Sequence, residues 1–256
     1  MATVRYVSAT DGLRVRSTPG GTIITTLFYG NLMYDISYDA GEAQNGWTKV
    51  HYYLVGSTVS EGDGWVATEH TEVVEPRNYP FKTSTYSSTS YLNQRQQLIN
   101  AWYIYNYLIE LDWSSNAICA MLGNMEAEST INPGKWQSLN NTTLGYGLTQ
   151  WTPATNLINW AEARGYDESD IETQLKRIEY EISNGEQWMS SKHSPEMTFV
   201  DFHESTASIS TLAEYFVRCY ERPKIFINGT TSAQAAEILS RQQKALKWSV
   251  LLSNLE

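Results

Sequence analysis

Cysteine is scarce in this sequence of 256 residues. The two cysteines, Cys119 and Cys219, lie in the apolar helical patterns AICAML and YFVRCY, and no pair spacing is typical of a zinc site. Free cysteines in apolar surroundings are usually buried and unreactive thiols. We therefore predict two buried thiols and no cysteine-dependent hydrolase. A disulfide between the two helices is an alternative that the fold does not need.

Long apolar runs and a basic leader are also lacking. No stretch approaches the roughly 18 to 20 apolar residues that a membrane-spanning helix needs, so we expect no membrane insertion. The start, MATVRYVSATDGLRV, has neither the basic stretch nor the apolar core of a secretory signal peptide. If the protein acts outside the cell that makes it, we expect another route of release.

Positive charge is in short supply. Lysine and arginine number 18 against 28 acidic residues, and the net charge of −10 is divided evenly between residues 1–75 and the remainder. Nucleic-acid binding is not expected because no basic stripe is present. We expect any polymer ligand to be held by shape, hydrogen bonds and aromatic stacking, for which nine tryptophans and seventeen tyrosines are available.

Motifs for a phosphate loop or a catalytic metal are missing as well. The sequence contains no glycine-rich phosphate loop and no His-Glu-x-x-His pattern, and its histidines are far apart. We therefore predict no metal site and no cofactor. The four histidines are His51, His70, His193 and His203.

The patterns that are present divide the chain into two parts. Apolar and polar residues alternate in GLRVRS, GTIITTLFYG, WTKVHYYLV and GWVATEHTEVV, with turn signals at STPGG, AGEAQNGW and SEGDGW. Short strands at this spacing predict a small all-β barrel or sandwich in residues 1–75. Residues 76–92 are rich in Pro, Ser and Thr and predict a linker. Residues 93–256 have helical periodicity and predict a mainly α domain.

Apolar stripes in the second part predict six helices. Ser114 or Ser115 is expected to cap the second of them, and Thr152-Pro153 to begin the third. The stripes or expected limits of the helices are 98–109, 118–125, 152–165, 171–182, 209–220 and 232–252.

The second helix ends in GNMEAESTINP, residues 123–133, with two carboxylates near its end. Glu126 and Glu128 are two positions apart, which is about 200° around the helix axis, so both cannot face one cleft. A carboxylate here faces the negative end of the helix dipole, which is unfavourable for stability and suited to an acid that keeps its proton. At most one of the two is therefore catalytic, and periodicity alone does not choose between them.

A second candidate segment is LGYGLTQW, residues 144–151. Gly145 and Gly147 bracket Tyr146, which permits close approach of the backbone to a ligand or to another strand. Gln150 and Trp151 offer an amide and a flat aromatic face that suit a sugar ring. Taken alone, GYG is a weak signal that favours a hairpin over a ligand site.

Together, GNMEAESTINP and GYGLTQW resemble the lysozyme superfamily, and among its members the phage-tail-type lysozyme family. AEYFVRCYERP, residues 213–223, is similar to the helix ending in Glu-Arg-Pro that such domains tend to carry, and the resemblance covers about residues 93–255. It implies that Glu128 is the catalytic acid and that Gln150 and Trp151 line the sugar cleft, with Tyr146 as a third candidate. Thr130 stands where the family usually has glycine.

The first part resembles bacterial SH3-like (SH3b) domains. The similarity lies in GLRVRSTPGG, NGWTKVHY and GWVATEHTEVV, with Arg14 where that family often has asparagine. It implies that the barrel binds a wall peptide or cross-bridge. A wall-binding barrel joined to a glycan-cutting domain is the arrangement of phage endolysins and other peptidoglycan hydrolases.

These resemblances predict an endolysin-like peptidoglycan hydrolase. It would cleave the β-1,4 bond between N-acetylmuramic acid and N-acetylglucosamine, with Glu128 as general acid. A lytic transglycosylase uses the same acid and stays open as an alternative, as does a non-catalytic glycan-binding tail or adhesion protein. The expected partner is bacterial peptidoglycan. The protein would be made in the host cytoplasm and would reach the cell wall through holin pores or on the virion.

A second catalytic carboxylate is not identified by the sequence. Asp167 or Ser169 is expected to cap the helix that contains Ile171, with Asp170 in its first turn. Glu221 is expected to form an ion pair or a buried hydrogen-bond network with Arg222. The four conceivable carboxylates are Asp167, Asp170, Asp201 and Glu221.

Overall fold

The computed structural model describes residues 3–37, 46–55, 59–74, 85, 87–190 and 197–253. The chain forms two compact units. The first comprises Met1–Lys82, Asn93–Leu98 and Leu251–Glu256, and the second comprises Thr83–Leu92 and Ile99–Val250. The predicted linker, residues 76–92, falls largely on residues outside the described ranges, namely 76–84 and 86, and stays a prediction.

The first unit contains one antiparallel sheet of seven strands, which confirms the all-β prediction for the N-terminal part. The strand order is β3-β2-β6-β5-β4-β1-β7. A 3-10 turn, Thr68–His70, separates the last two strands. The strands are β1 (Thr3–Val7), β2 (Leu13–Arg16), β3 (Ile23–Leu27), β4 (Leu32–Asp35), β5 (Trp47–Val55), β6 (Val59–Ala67) and β7 (Thr71–Val73).

The core of this sheet follows from the alternation of its residues. Leu13 and Val15 of β2 are buried, whereas Arg14 between them is exposed, as the GLRVRS pattern predicts. β1 and β4 were not predicted from the sequence. The buried cluster consists of Val7, Leu13, Val15, Leu27, Met33, Val50, Tyr52 and Val66.

The turn predicted at SEGDGW is wrong, because this segment lies inside β6. Tyr52 of β5 pairs with Gly62, and Val50 pairs with Gly64. A Cβ atom at Gly62 would lie 2.9 Å from the Tyr52 hydroxyl, and one at Gly64 would lie 2.3 Å from Val15 Cγ1. The glycines therefore mark close packing across the sheet and not a reversal of the chain.

Eight helices lie in the described part of the chain after residue 93. The predicted helices are present, although the third begins at Thr155 and not at Thr152-Pro153, and α5 and α7 were not predicted. A π-helical turn, Val217–Glu221, extends α6. The helices are α1 (Gln94–Ile109), α2 (Ser115–Ser129), α3 (Thr155–Glu162), α4 (Ile171–Asn184), α5 (Phe199–Glu204), α6 (Ile209–Phe216), α7 (Ile225–Asn228) and α8 (Thr231–Ser253).

Helix α2 is the centre of the second unit. Its residues from Ala117 to Glu126 are buried, including both Gly123 and Asn124. A Cβ atom at Gly123 would lie 2.5 Å from the backbone nitrogen of Ala245, so the glycine lets α8 approach α2 closely. This approach brings the basic residues of α8 to the end of α2.

Both cysteines are free and buried, which confirms the prediction of two buried thiols. Among the described helices, none combines the length and the apolar character that a membrane span requires.

Candidate active site

Helix α2 is capped at both of its termini. Ser114 caps the start by accepting a hydrogen bond from the backbone nitrogen of Ala117. Thr130 caps the end in the left-handed conformation, with φ of 54°, and Ile131 follows with φ of 58°. Glycine adopts this conformation without strain, so Thr130 is a less favourable residue than glycine at this helix end. Glu128 is the penultimate residue of the helix.

Glu126 and Glu128 have different surroundings. Glu126 is 4% exposed, and Lys247 Nζ of α8 lies 2.8 Å from its Oε1 and 2.7 Å from its Oε2. A buried carboxylate with a cation this close forms an internal ion pair and has no path to a ligand. Glu128, in contrast, retains a side chain that is 20% exposed. Of the two carboxylates, Glu128 alone lines the cleft described below.

A buried arginine holds the carboxylate of Glu128. Arg241 Nη2 donates to Glu128 Oε1 at 2.6 Å. The same guanidinium donates through Nη1 to Asn124 Oδ1 and through Nε to Glu237 Oε1, at 3.1 and 2.7 Å. Arg241 is 3% exposed, so three acceptors fix its orientation inside the protein. The carboxylate of Glu128 is therefore held in place before any ligand binds.

The cleft beside Glu128 has a volume of about 510 Å³. It is built from the end of α2, the loop that contains residues 144–152 and the segment that follows α6. Its size falls within the range of sites that bind small molecules and short polymer segments. Its lining residues are Tyr91, Glu128, Lys135, Gln137, Leu144, Thr149, Gln150, Thr152, Glu221, Arg222, Pro223 and Lys224.

The loop of the LGYGLTQW motif is attached to the end of α2. Ser129 Oγ donates to the carbonyl oxygen of Leu148 at 2.8 Å. Gly147, with φ of 85°, packs against the buried amide of Gln174, whose Oε1 accepts from the backbone nitrogen of Leu148. The close approach that the two glycines permit is therefore to side chains of the protein itself.

The three predicted sugar contacts have different positions. Gln150 lines the cleft, and its Nε2 donates to the carbonyl oxygens of Lys135 and Gly147 at 3.0 and 2.9 Å. Tyr146 and Trp151 are 1% and 3% exposed and lie behind the cleft wall. Their direct contact with a sugar stays a prediction, and the geometry favours a supporting role.

Trp151 belongs to a buried polar network. Its Nε1 donates to Glu181 Oε1 at 2.8 Å, and the Tyr220 hydroxyl donates to Glu181 Oε2 at 2.5 Å. Burial raises the pKa of Glu181, and the hydrogen bond from Tyr220 and the charge of Arg177 oppose this effect. Four groups from three segments thus support the cleft wall from within.

Glu221 is the second carboxylate in the cleft. Its Oε1 is buried and accepts no hydrogen bond from the residues that the structure describes. Burial, and next the charge of Glu128, raise the pKa of Glu221 well above its usual value, although Arg241 and Arg222 oppose the shift. The expected Glu221–Arg222 ion pair is not seen in the described part. Arg222 Nη1 instead donates to the carbonyl oxygens of Cys219 and Gln187.

The other three candidate carboxylates have local structural roles. Asp170, and neither Asp167 nor Ser169, caps α4 by accepting from the backbone nitrogen of Thr173 at 3.0 Å. Asp167 accepts hydrogen bonds from the backbone nitrogen and hydroxyl of Ser169. Asp201 forms a capping box at the start of α5, and these hydrogen bonds lower its pKa.

The residues that sequence reasoning missed are on α8. Arg241, Lys244 and Lys247 recur every third position and so share one helix face. In an acidic chain these three basic residues were a usable signal for partners of the Glu126 and Glu128 carboxylates. Its meaning required the pairing of α8 with α2, which local patterns do not provide.

The first unit has a cleft of its own, with a volume of about 410 Å³. Arginine, histidine and tryptophan side chains in its lining suit a ligand with carboxylate and amide groups. The lining residues are Asp11, Gly12, Leu13, Arg14, Arg16, Thr26, Trp47, Ala67 and His70.

Comparisons with known proteins agree with the geometry of the second unit. The phage tail lysozyme family model matches residues 99–252, which is more than half of the chain. The "Morphogenesis protein 1" of Bacillus phage B103 is 51% identical over 140 residues. The match covers 54% of this chain but only 38% of that relative. The chain belongs to the phage tail lysozyme family, whose name points to a glycosidase that acts on peptidoglycan.

Proposed function

We propose that the second unit cleaves the β-1,4 bond between N-acetylmuramic acid and N-acetylglucosamine in bacterial peptidoglycan. The observation that carries this proposal is the position of Glu128 at the end of α2, oriented by Arg241 and lining a cleft of about 510 Å³. Cleavage of a glycosidic bond needs a positioned carboxyl group that donates a proton to the leaving oxygen. Glu128 is assigned this role.

The reaction then proceeds through defined proton movements. Glu128 gives its proton to the glycosidic oxygen as the bond from that oxygen to the anomeric carbon breaks. The group that adds to the carbon, either water or a hydroxyl of the sugar itself, returns a proton to the carboxylate. Water yields a reducing sugar, as in a hydrolase, and the sugar hydroxyl yields an anhydro sugar, as in a lytic transglycosylase.

The test compares wild type with Glu128→Gln on purified cell walls. Loss of the acid is expected to lower the rate of turbidity loss by at least about 100-fold, because general acid catalysis contributes about 10²–10⁴. Glu214→Gln is the control, since Glu214 forms an ion pair with Arg218 and does not line the cleft. Equal clearing by Glu128→Gln and wild type, with both proteins folded, would refute the assignment.

Mass spectrometry of the released sugars decides between the two reaction types. Reducing ends identify hydrolysis, and a product lighter by one water identifies the transglycosylase reaction. Glycan strands that stay intact after incubation with a high concentration of folded protein would instead support the alternative of a glycan-binding protein without catalysis.

We further propose that the first unit tethers the enzyme to the wall through its own cleft. A second attachment raises the effective concentration of the catalytic unit at the polymer. In the full-length chain, Arg14→Ala is expected to weaken sedimentation with purified walls while cleavage of soluble fragments is unchanged. Lys49→Ala is the matched control, because Lys49 lies on the same sheet outside the cleft. Unchanged wall binding by Arg14→Ala would count against this cleft as the tether.

The place of action that we propose is the bacterial cell wall. The name of the Bacillus phage relative refers to morphogenesis, which favours delivery with the phage particle over release through holin pores. Immunodetection of the protein in purified particles tests this route, and its absence from particles but presence in the lysate would favour the endolysin alternative.

A further inference from the structure

Two carboxyl groups reach the same cleft from different segments of the second unit. Glu128 lies at the end of α2, and Glu221 ends the π-helical turn that follows α6. Both line the cleft. Glu221 Oε1 is nevertheless buried and without a hydrogen-bond donor in the described part of the chain.

The cations near Glu221 already have other acceptors. Arg241 donates to Glu128, Glu237 and Asn124. Arg222 Nη1 donates to two backbone carbonyl oxygens. A negative charge is unfavourable on a carboxylate when one of its oxygens, here Oε1, is buried without a donor, so this arrangement favours a protonated Glu221.

We propose that Glu128 and Glu221 form a coupled carboxyl pair that carries one proton near neutral pH, with Glu221 positioning that proton for Glu128. This inference rests on the proposed function, in which Glu128 is the acid. It resolves a conflict in the geometry, since the acid must hold a proton although a buried guanidinium is bonded to it. A second carboxyl that resists ionisation beside the first keeps one proton in the pair.

The charges that act on Glu221 come from three helices and from the adjacent residue. Glu128 of α2 and Glu181 of α4 disfavour its ionisation, while Arg241 of α8 and the adjacent Arg222 favour it. Burial is the largest influence and acts in the same direction as the two carboxylates. Loss of the Glu128 charge, as its carboxyl gains a proton, makes ionisation of Glu221 easier.

The proton balance of the reaction is unchanged by the pair. Glu128 donates the single proton to the glycosidic oxygen, which leaves both carboxyl groups ionised beside Arg241. The water or hydroxyl that adds to the anomeric carbon then returns one proton to the pair. Glu221 acts through Glu128 in this scheme and does not itself contact the reacting atoms.

The first experiment is a pH profile of kcat/KM on soluble peptidoglycan fragments for wild type, Glu221→Gln and Glu221→Asp. Removal of the Glu221 carboxyl is expected to move the alkaline limb about one pH unit lower and to reduce the rate at pH 7 about tenfold. Glu221→Asp is expected to restore part of the shift. Glu179→Gln is the matched control, because burial also raises the pKa of Glu179 but Glu179 does not line the cleft.

The second experiment is a carbon-13 NMR titration of glutamate carboxyl groups in the folded protein. The signal that is missing in Glu221→Gln is expected to keep its proton well above the pH at which an ordinary glutamate ionises, because burial and the charge of Glu128 raise the pKa of Glu221. In Glu128→Gln the same signal should titrate at lower pH, because the neighbouring charge is gone. This measurement on wild type and Glu128→Gln does not depend on whether Glu221→Gln retains activity.

The outcomes separate the inference from the proposed function. The coupled pair is overturned if the alkaline limb is unchanged in folded Glu221→Gln, or if the Glu221 signal does not respond to Glu128→Gln. In either case the proposed function still stands as long as Glu128→Gln is inactive. Full activity of Glu128→Gln overturns the function itself. A limb that moves equally in Glu179→Gln also overturns the inference, since the effect would then be one of total charge.

Discussion

Glu126 and Lys247 form a buried ion pair, and breaking this pair tests whether Glu126 has a structural role while Glu128 lines the cleft. We consider Lys247→Met, which keeps the apolar stem of the side chain and removes the ammonium group. Lys247 is 7% exposed and Glu126 is 4% exposed, so solvent does not replace the lost partner. The variant leaves a carboxylate buried with neither of its oxygens bonded to a cation.

The expected magnitude follows from the cost of an unpaired buried charge. Removing one member of a buried ion pair destabilises a protein by about 3–5 kcal/mol. For a domain of this size, 1 kcal/mol lowers Tm by about 2–4 °C, so Tm should fall by about 6–20 °C. The double variant Glu126→Leu with Lys247→Met should recover most of this loss, because replacing both members of such a pair is often neutral or stabilising.

Thermal unfolding of the four proteins of this double-mutant cycle provides the assay, together with wall clearing at 20 °C. Neither residue lines the cleft, so the folded variants should keep wild-type turnover to within about twofold. A loss of turnover without a loss of stability would refute the structural assignment of Glu126. A fall in Tm of less than about 2 °C for Lys247→Met would refute the burial argument.

Three further predictions concern the cleft wall and the buried acids. Gly147→Ala should destabilise the protein by about 2–3 kcal/mol, because the φ of Gly147 is 85° and a Cβ atom there would lie 2.7 Å from Gln174 Oε1. A chemical denaturation curve measures this loss. Trp151→Ala should lower the free energy of unfolding by about 3–5 kcal/mol and should reduce activity mainly through unfolding, whereas Trp151→Phe should remain folded. Calorimetry together with turnover rates separates the loss of stability from a loss of catalysis. Burial raises the pKa of Glu179 above its unfolded value, so its ionisation disfavours the folded state. The stability of Glu179→Gln relative to wild type should therefore increase as pH rises from 4 to 7. Thermal melts of both proteins at several pH values measure this difference, and a decrease over the same range would contradict the prediction.

Local sequence signals predicted much of the secondary structure. The stripe of Ile171 to Ile182 predicted α4, and the αL residue Gly185 ends that helix as its NG sequence indicated. The glycines of SEGDGW misled the prediction because a glycine marks either a turn or a close contact. Gly64 lies under Val15, a contact between strands that are distant in the sequence.

The candidate site shows the same division between local and long-range information. Glu128 was selected from its motif, but the left-handed conformations of Thr130 and Ile131 that end its helix were not predicted, because β-branched residues rarely adopt positive φ. The burial of Tyr146 and Trp151 did not follow, because aromatic residues near a cleft serve equally well as its surface or as its support. Their contacts with α4 and with the turn after α6 decide the matter.

By itself, the sequence determined the two-part architecture, most of the element types and the helix end that carries Glu128. These features depend on periodicity, capping and turn residues within a few positions of each other. Only the tertiary structure decided that Glu126 is paired internally, that Arg241 orients Glu128 and that Glu221 enters the same cleft. Their partners are 121 and 113 residues away along the chain for Glu126 and Glu128. The charge and accessibility of a carboxyl group depend on what packs against it, and that packing is a property of the folded chain.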